Sequence, residues 1–184
     1  DETASAWQAA GWETLTAPLM RIKHWTDRQQ ALEHLLKKQP RSMLVTSANA
    51  VDAAQHLNLP GLLLHAAGEK TAKAASASGL FQDITAFDAP ASETAAGHFA
   101  KLPEAAPVLY LCGRHEAGNL TAALAEQGQE LLKLPIYEAI LATSVPEAAS
   151  KAISYGKLDA IAFYSRRAAA LFRQLALNDG LANR

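Results

Sequence analysis

Three small hydroxyl residues stand where an apolar, strand-like run gives way to an alanine-rich, helix-like one. They are Ser47 in "VTSAN", Thr71 in "AGEKTA" and Ser165 in "YSRRA". At such a turn the side-chain oxygen caps the new helix, and the first N–H groups of that helix stay open. Open donors and the positive end of the helix dipole attract anions. Arg166 adds a guanidinium to the third turn, which can grip a carboxylate with two bonds. Lys70 adds an ammonium to the second, although the phosphate-loop spacing G-x-x-x-x-G-K-[ST] is absent. Each turn also has a plainer account: an ordinary helix cap, a glycine turn, or a solvated basic face. A fourth turn, "LCGRHEAG", ends an apolar run at Gly113 and follows it with Arg114. Together these residues suit a ligand carrying many carboxylates, and they do not by themselves indicate a reaction.

Another stretch combines two residues that sit oddly in a strand. In "LLKLPIYEAI" (131–140), Leu132, Leu134 and Ile136 fall on one face by the period of two, and Lys133, Pro135 and Tyr137 on the other. Pro135 cannot donate to a sheet ladder, which predicts an edge strand or a segment crossing between domains. Tyr137 is then expected to point away from the apolar face at that crossing, its hydroxyl free. From the residues alone, an amphipathic aromatic at an interdomain contact is the simpler account of it.

Several chemistries lack their motifs. The six histidines show no metal-ligand spacing such as H-E-x-x-H, so no metal site is expected. No G-x-S-x-G elbow and no G-x-G-x-x-G fingerprint occurs. Cys112 reads as packing at a strand end, and His115 as a surface residue. As the single cysteine, Cys112 also excludes an internal disulfide framework and fits a reducing, cytoplasmic setting. A net charge of −1 without a basic stripe argues against nucleic acid as the main partner. No run is long enough to span a bilayer, and no signal segment opens the chain. With 49% hydrophobic and 19% charged residues over 184 positions, the chain can bury a core.

The elements that must position these residues alternate between helix and strand. Strands are expected at "WETLTAPL" continuing through "MRIKH", then at "SMLVTS", "GLLLHA", "FQDITAF", "APVLYLCG", "LLKLPIYEAI" and "LDAIAFYS". Helices are expected at residues 2–10, "DRQQALEHLLKK", "ANAVDAAQHL", "EKTAKAASAS", "SETAAGHFAKL" interrupted at Gly97, "EAGNLTAALAEQ", "PEAASKAISYG" and "RRAAALFRQLAL". Near-continuous apolar strands between helices predict α/β architecture with parallel sheets. The chain also echoes itself. Gly11 and Gly128 lie 117 positions apart, as do Pro18 and Pro135, and Ser47 and Ser165 lie 118 apart. A repeat predicts two similar α/β domains with a ligand between them, beyond the carboxyl ends of the strands. It also predicts partners for "VLYLCG" before residue 1 and for "HAAGEKTAKAASASG" after the last residue, so strands and helices are expected beyond both ends.

Taken in order, "LVTSANAV", "AGEKTAKAASASG", "VLYLCG", "LPIYEA" and "DAIAFYSRRAAALF" resemble uroporphyrinogen-III synthase, over nearly the whole chain. The resemblance implies two α/β domains joined by a two-stranded linker, with the active site in the interdomain cleft. The terminal domain would comprise 1–19 plus 141–184, incomplete at both ends. The inserted domain would be 26–133, with 20–25 and 134–140 as linker strands. The implied reaction closes the linear tetrapyrrole hydroxymethylbilane to uroporphyrinogen III, with inversion of ring D and loss of water, without a metal or organic cofactor. By the same resemblance Tyr137 is the catalytic residue, and Ser47, Thr71, Ser165, Gly113, Lys70, Arg114 and Arg166 bind the substrate. A monomer is expected, meeting the preceding pathway enzyme only transiently. Two alternatives stand beside this: a non-enzymatic two-domain binder of a small polyanionic ligand, and a catalytically silent synthase-like domain. A substitution at Tyr137 would have marked the second.

Overall fold

The computed structural model describes residues 2–88, 92–115 and 119–181. The chain divides into two compact units: Ile22–Ala139, the central unit, and Asp1–Arg21 with Ile140–Arg184, the terminal unit.

A six-stranded sheet organises the central unit. Its strands are β1 (Met20–His24), β2 (Ser42–Val45), β3 (Leu63–Ala67), β4 (Ile84–Phe87), β5 (Val108–Gly113) and β6 (Leu131–Leu141). They lie in the order β1-β6-β5-β2-β3-β4, and the pairs β6–β5, β5–β2, β2–β3 and β3–β4 are parallel. Every residue of β2 and β5 is buried, because helices cover both sides. On one face Met43, Val45, Leu109 and Leu111 pack with Leu32 of α2 (Gln29–Leu36), Val51 of α3 (Ala48–Ala54) and Ala75 of α4 (Glu69–Ser78). On the other, Leu44, Val108 and Tyr110 pack with Phe99 of α5 (Ser92–Phe99) and Leu124 of α6 (Leu120–Ala125). A strand buried on both faces must be apolar at every position, which is why "SMLV" and "VLYLC" show no alternation.

After β1, the parallel part of the sheet begins at β2, moves outward through β3 and β4, then returns to β5 and β6 on the other side. The direction of progress therefore reverses between β2 and β5. Helices leaving such a pair diverge to opposite faces and open a crevice at the strands' carboxyl ends. At the other end of the order, Trp25 N–H bonds to the Ile136 carbonyl and Ala142 N–H to the Leu19 carbonyl, so β1 runs antiparallel to β6.

The terminal unit holds α1 (Glu2–Ala9), α7 (Glu147–Ser154) and α8 (Arg166–Asn178). Leu19, Val145, Ala149, Leu175, Ala176 and Leu181 form its buried core. Asp179 fixes the approach to α7 by accepting the Val145 N–H at 2.7 Å. Trp7 Nε1 donates to the Tyr164 hydroxyl at 2.6 Å.

Four expectations need correction. Residues 12–18 and 158–163 carry no ladder pairing, although "WETLTAPL" and "LDAIAFYS" were expected to be strands. An apolar stretch becomes a strand only where a neighbour accepts and donates its bonds, and here neither has one. Gly97 does not interrupt its helix, since α5 runs through to Phe99. Pro135 does not lie on an edge: β6 sits between β1 and β5. It is accommodated instead beside a bulge, where the register shifts between Cys112 and Gly113. Finally, that bulge changes which face Tyr137 occupies, as the site shows. The beginning of the helix expected at "EAGNLTAALAEQ" lies outside the described residues; α6 itself starts after Asn119, whose side chain accepts the Ala122 N–H.

Candidate functional site

At the carboxyl end of β2 the chain turns sharply into α3. Ser47 is extended (φ −155°), and its hydroxyl accepts the Asn49 N–H at 3.2 Å. The residue before it, Thr46, shares a hydrogen bond of 2.8 Å with the Tyr110 hydroxyl of β5. This bond ties together the two strands that flank the topological reversal.

Beside them, β5 ends at Gly113 and β6 carries Tyr137. Cys112 pairs with Pro135 but Gly113 pairs with Tyr137, so Ile136 is an extra residue in β6. An extra residue breaks the alternation of side chains. Lys133 and Pro135 keep to the side of Tyr110 and Cys112, whereas Tyr137 packs with Leu134 and Ile136 on the α2–α4 side. The expected placement of Tyr137 opposite the apolar face is thus overturned. Its ring lies against Gly113 so closely that a Cβ there would meet Tyr137 Cζ at 2.9 Å and the hydroxyl oxygen at 3.1 Å. Only the missing side chain of Gly113 makes room for the phenol.

Glu138 follows immediately, and the sequence had given no reason to notice it. Trp25 Nε1 donates to Oε1 at 3.3 Å and Arg114 Nη1 to Oε2 at 3.3 Å, while Lys23 Nζ lies 3.9 Å from Oε1. Burial opposes ionisation of this carboxyl. The hydrogen bonds from Trp25 and Arg114, with the charges of Arg114 and Lys23, outweigh it and hold the group below the usual carboxylate range. The partners lie 113 and 24 positions away in the chain, too far for any local pattern to reveal them.

The remaining predicted residues are more dispersed. Ser47, Gly113, Arg114 and Tyr137 share the carboxyl ends of β2, β5 and β6. Thr71 and Lys70 follow β3, one strand farther along; Lys70 is exposed, but Thr71 is 6% accessible and held within the packing. Ser165 and Arg166 belong to the terminal unit, where Ser165 caps α8 by accepting the Ala168 N–H at 3.0 Å. A shallow depression lined by Glu69, Lys73, Phe81 and Gln82 contains none of the predicted residues.

A separate polar cluster lies in the central unit's core, on the α5 side of the sheet. His65 Nδ1 and His98 Nε2 share a hydrogen bond of 2.9 Å, and His98 stacks on Phe87 at 4.1 Å. Burial, then the neighbouring His98, pushes the His65 pKa down to about 4. Among the described residues no group of three His, Cys, Asp or Glu side chains is placed to hold a metal ion, and no helix is long and apolar enough to cross a membrane.

Comparison with known proteins gives these features a context. The family profile HEM4, described as uroporphyrinogen-III synthase HemD, matches residues 1–184. No curated protein matches the chain. Among solved structures, a mutant uroporphyrinogen III synthase from Thermus thermophilus is similar with a TM-score of 0.58 at 20% identity, covering 100% of this chain and 78% of that one. The Helicobacter pylori uroporphyrinogen-III synthetase is similar with a TM-score of 0.54 at 21% identity, covering 80% of this chain and 70% of that one. At such identities the two structures support the fold.

Proposed function

The chain belongs to the uroporphyrinogen-III synthase family, and from that premise we propose how its residues close hydroxymethylbilane to uroporphyrinogen III. The lone pair of a pyrrole nitrogen expels the terminal hydroxymethyl oxygen, the C–O bond breaks, and the hydroxyl leaves as water after taking a proton. The resulting azafulvene cation is attacked by the substituted α-carbon of ring D, giving a spiro intermediate. This fragments and recloses with ring D inverted, and loss of a proton restores aromaticity. The net change is loss of one water.

Tyr137 serves the first step. A phenol with an ordinary pKa of about 10 is protonated at neutral pH and can donate to the departing hydroxyl. The larger task is geometric, because the macrocycle also closes unaided to the uninverted isomer. The site must hold the chain of rings in the folded, inverting arrangement. In this reading Ser47, Thr71 and Ser165, with Lys70, Arg114 and Arg166, take up substrate carboxylates, and Gly113 lets the ring of Tyr137 approach. The burial of Thr71 favours the open N–H groups at the start of α4 over its hydroxyl as the donors there. The reading also includes β1 and β6 as a two-stranded linker, an active site in the interdomain cleft, and a cytoplasmic monomer that meets the preceding pathway enzyme transiently.

The observation carrying the proposal is the family match over the whole chain, supported by Tyr137 seated on Gly113 beside the reversal point. The protein is to be supplied with freshly made hydroxymethylbilane and the oxidised porphyrin isomers separated. Isomer III in excess over the uncatalysed control is expected; isomer I alone would overturn the proposal.

A further inference from the structure

The bulge that turns Tyr137 onto Gly113 is held from both sides in the same way. On the β1 side, Trp25 gives its main-chain N–H to the Ile136 carbonyl at 2.9 Å and its indole N–H to the Glu138 carboxylate at 3.3 Å. On the β5 side, Arg114 gives its main-chain N–H to the Tyr137 carbonyl at 2.8 Å and its guanidinium to the same carboxylate at 3.3 Å. Each neighbour thus makes one main-chain and one side-chain bond, and the two side-chain bonds meet on Glu138. Lys23 adds charge to the carboxylate from β1, and the Arg28 guanidinium covers the Trp25 ring at 4.4 Å. A bulge lacks the regular ladder that holds an ordinary strand in place. Here a carboxylate joins the two flanking segments across it.

We propose that Glu138 is a positioning residue for Tyr137: its carboxylate clamps Trp25 and Arg114 across the β6 bulge and so fixes where the phenol stands. This inference rests on the reading of Tyr137 given above. The carboxylate is bonded to Trp25 and Arg114, so its effect on the reaction passes through the bulge. It also limits Arg114, whose guanidinium is partly committed before any substrate arrives. A substrate carboxylate would share that guanidinium with Glu138 through the remaining donors.

An amide in place of the carboxylate can accept one of the two bonds but not both, and it removes the charge facing Lys23 and Arg114. Glu138→Gln is therefore expected to lower kcat for isomer III by about tenfold to a hundredfold, the cost of a misplacement on the ångström scale. KM should change less than kcat, since the substitution alters only how far Arg114 is shared with the substrate. The Trp25 indole N–H resonance, assigned with Trp25→Phe, should shift in Glu138→Gln. In the parent it should titrate only as pH falls below the usual carboxylate range, and that titration should vanish in the variant. Glu138→Asp, which keeps the charge, should restore part of the rate. Should Glu138→Gln fail to fold, a Trp25→Phe and Glu138→Asp cycle reads the same clamp: coupled losses of kcat support it, and additive losses overturn it. An unchanged kcat, a change confined to KM, or an indole resonance indifferent to Glu138→Gln would each overturn the clamp. If the parent itself makes only isomer I, the functional reading fails, while the indole resonance still decides whether the clamp exists.

Discussion

Tyr137 and Gly113 form one unit of chemistry, and each can be tested through the other. Tyr137→Phe keeps the ring against Gly113 and removes only the hydroxyl. Its rate of isomer III formation should fall by about a hundredfold while the protein stays folded. Unaltered turnover would remove the phenol from the mechanism. Gly113→Ala does the reverse, keeping the hydroxyl but driving a methyl into the ring, where 2.9 Å is available. Overpacking of this kind costs about 1–3 kcal/mol, so denaturant unfolding should register it, and isomer III formation should fall with it. At this scale the sequence was legible only for neighbours. Ser47 and Ser165 were read correctly as caps, because a cap joins a hydroxyl to an N–H two or three residues on. Glu138 was missed because its partners come from remote segments. The face of Tyr137 was misread because nothing in "LPIYEA" announces that one residue too many is present.

Among the elements, strands buried on both sides were the easiest to recognise, since continuous apolar runs such as "SMLV" and "VLYLC" leave few alternatives. The segment at 158–163 is also mostly apolar and still forms no ladder. Strand identity depends on a partner, and composition does not supply one. Helices gave the opposite result, because their hydrogen bonds are internal. Gly97 looked like a break and is not one, since the flanking residues carry α5 through it. A Cβ at Gly97 would meet nothing within 4 Å. Gly97→Ala is therefore expected to stabilise the protein by about 0.5–1 kcal/mol, measured by thermal or chemical unfolding. A destabilised variant would show that the glycine has a purpose in α5 beyond its lack of a side chain.

For the molecule as a whole, acid is the condition the His65–His98 pair should make visible. In the folded protein the His65 pKa is lowered to about 4 from an ordinary 6.5, and burial lowers His98 in the same direction. The unfolded chain therefore binds more protons between those two values, and stability must fall as pH drops through that window. Allowing for residual hydration of the pair, His65 should cost about 1 kcal/mol at pH 5 relative to pH 7.5, and His65→Phe should reduce that dependence. A flat unfolding profile between pH 5 and 7.5, about the range where an ordinary histidine titrates, would sink the argument. The division into two units has a different kind of consequence. The boundaries fall between Arg21 and Ile22 and between Ala139 and Ile140, and both lie inside strands that pair with each other. The chain thus enters and leaves the central unit through adjoining doors. In genetic terms that is the geometry under which one coding segment can be spliced into the middle of another without dragging its ends apart.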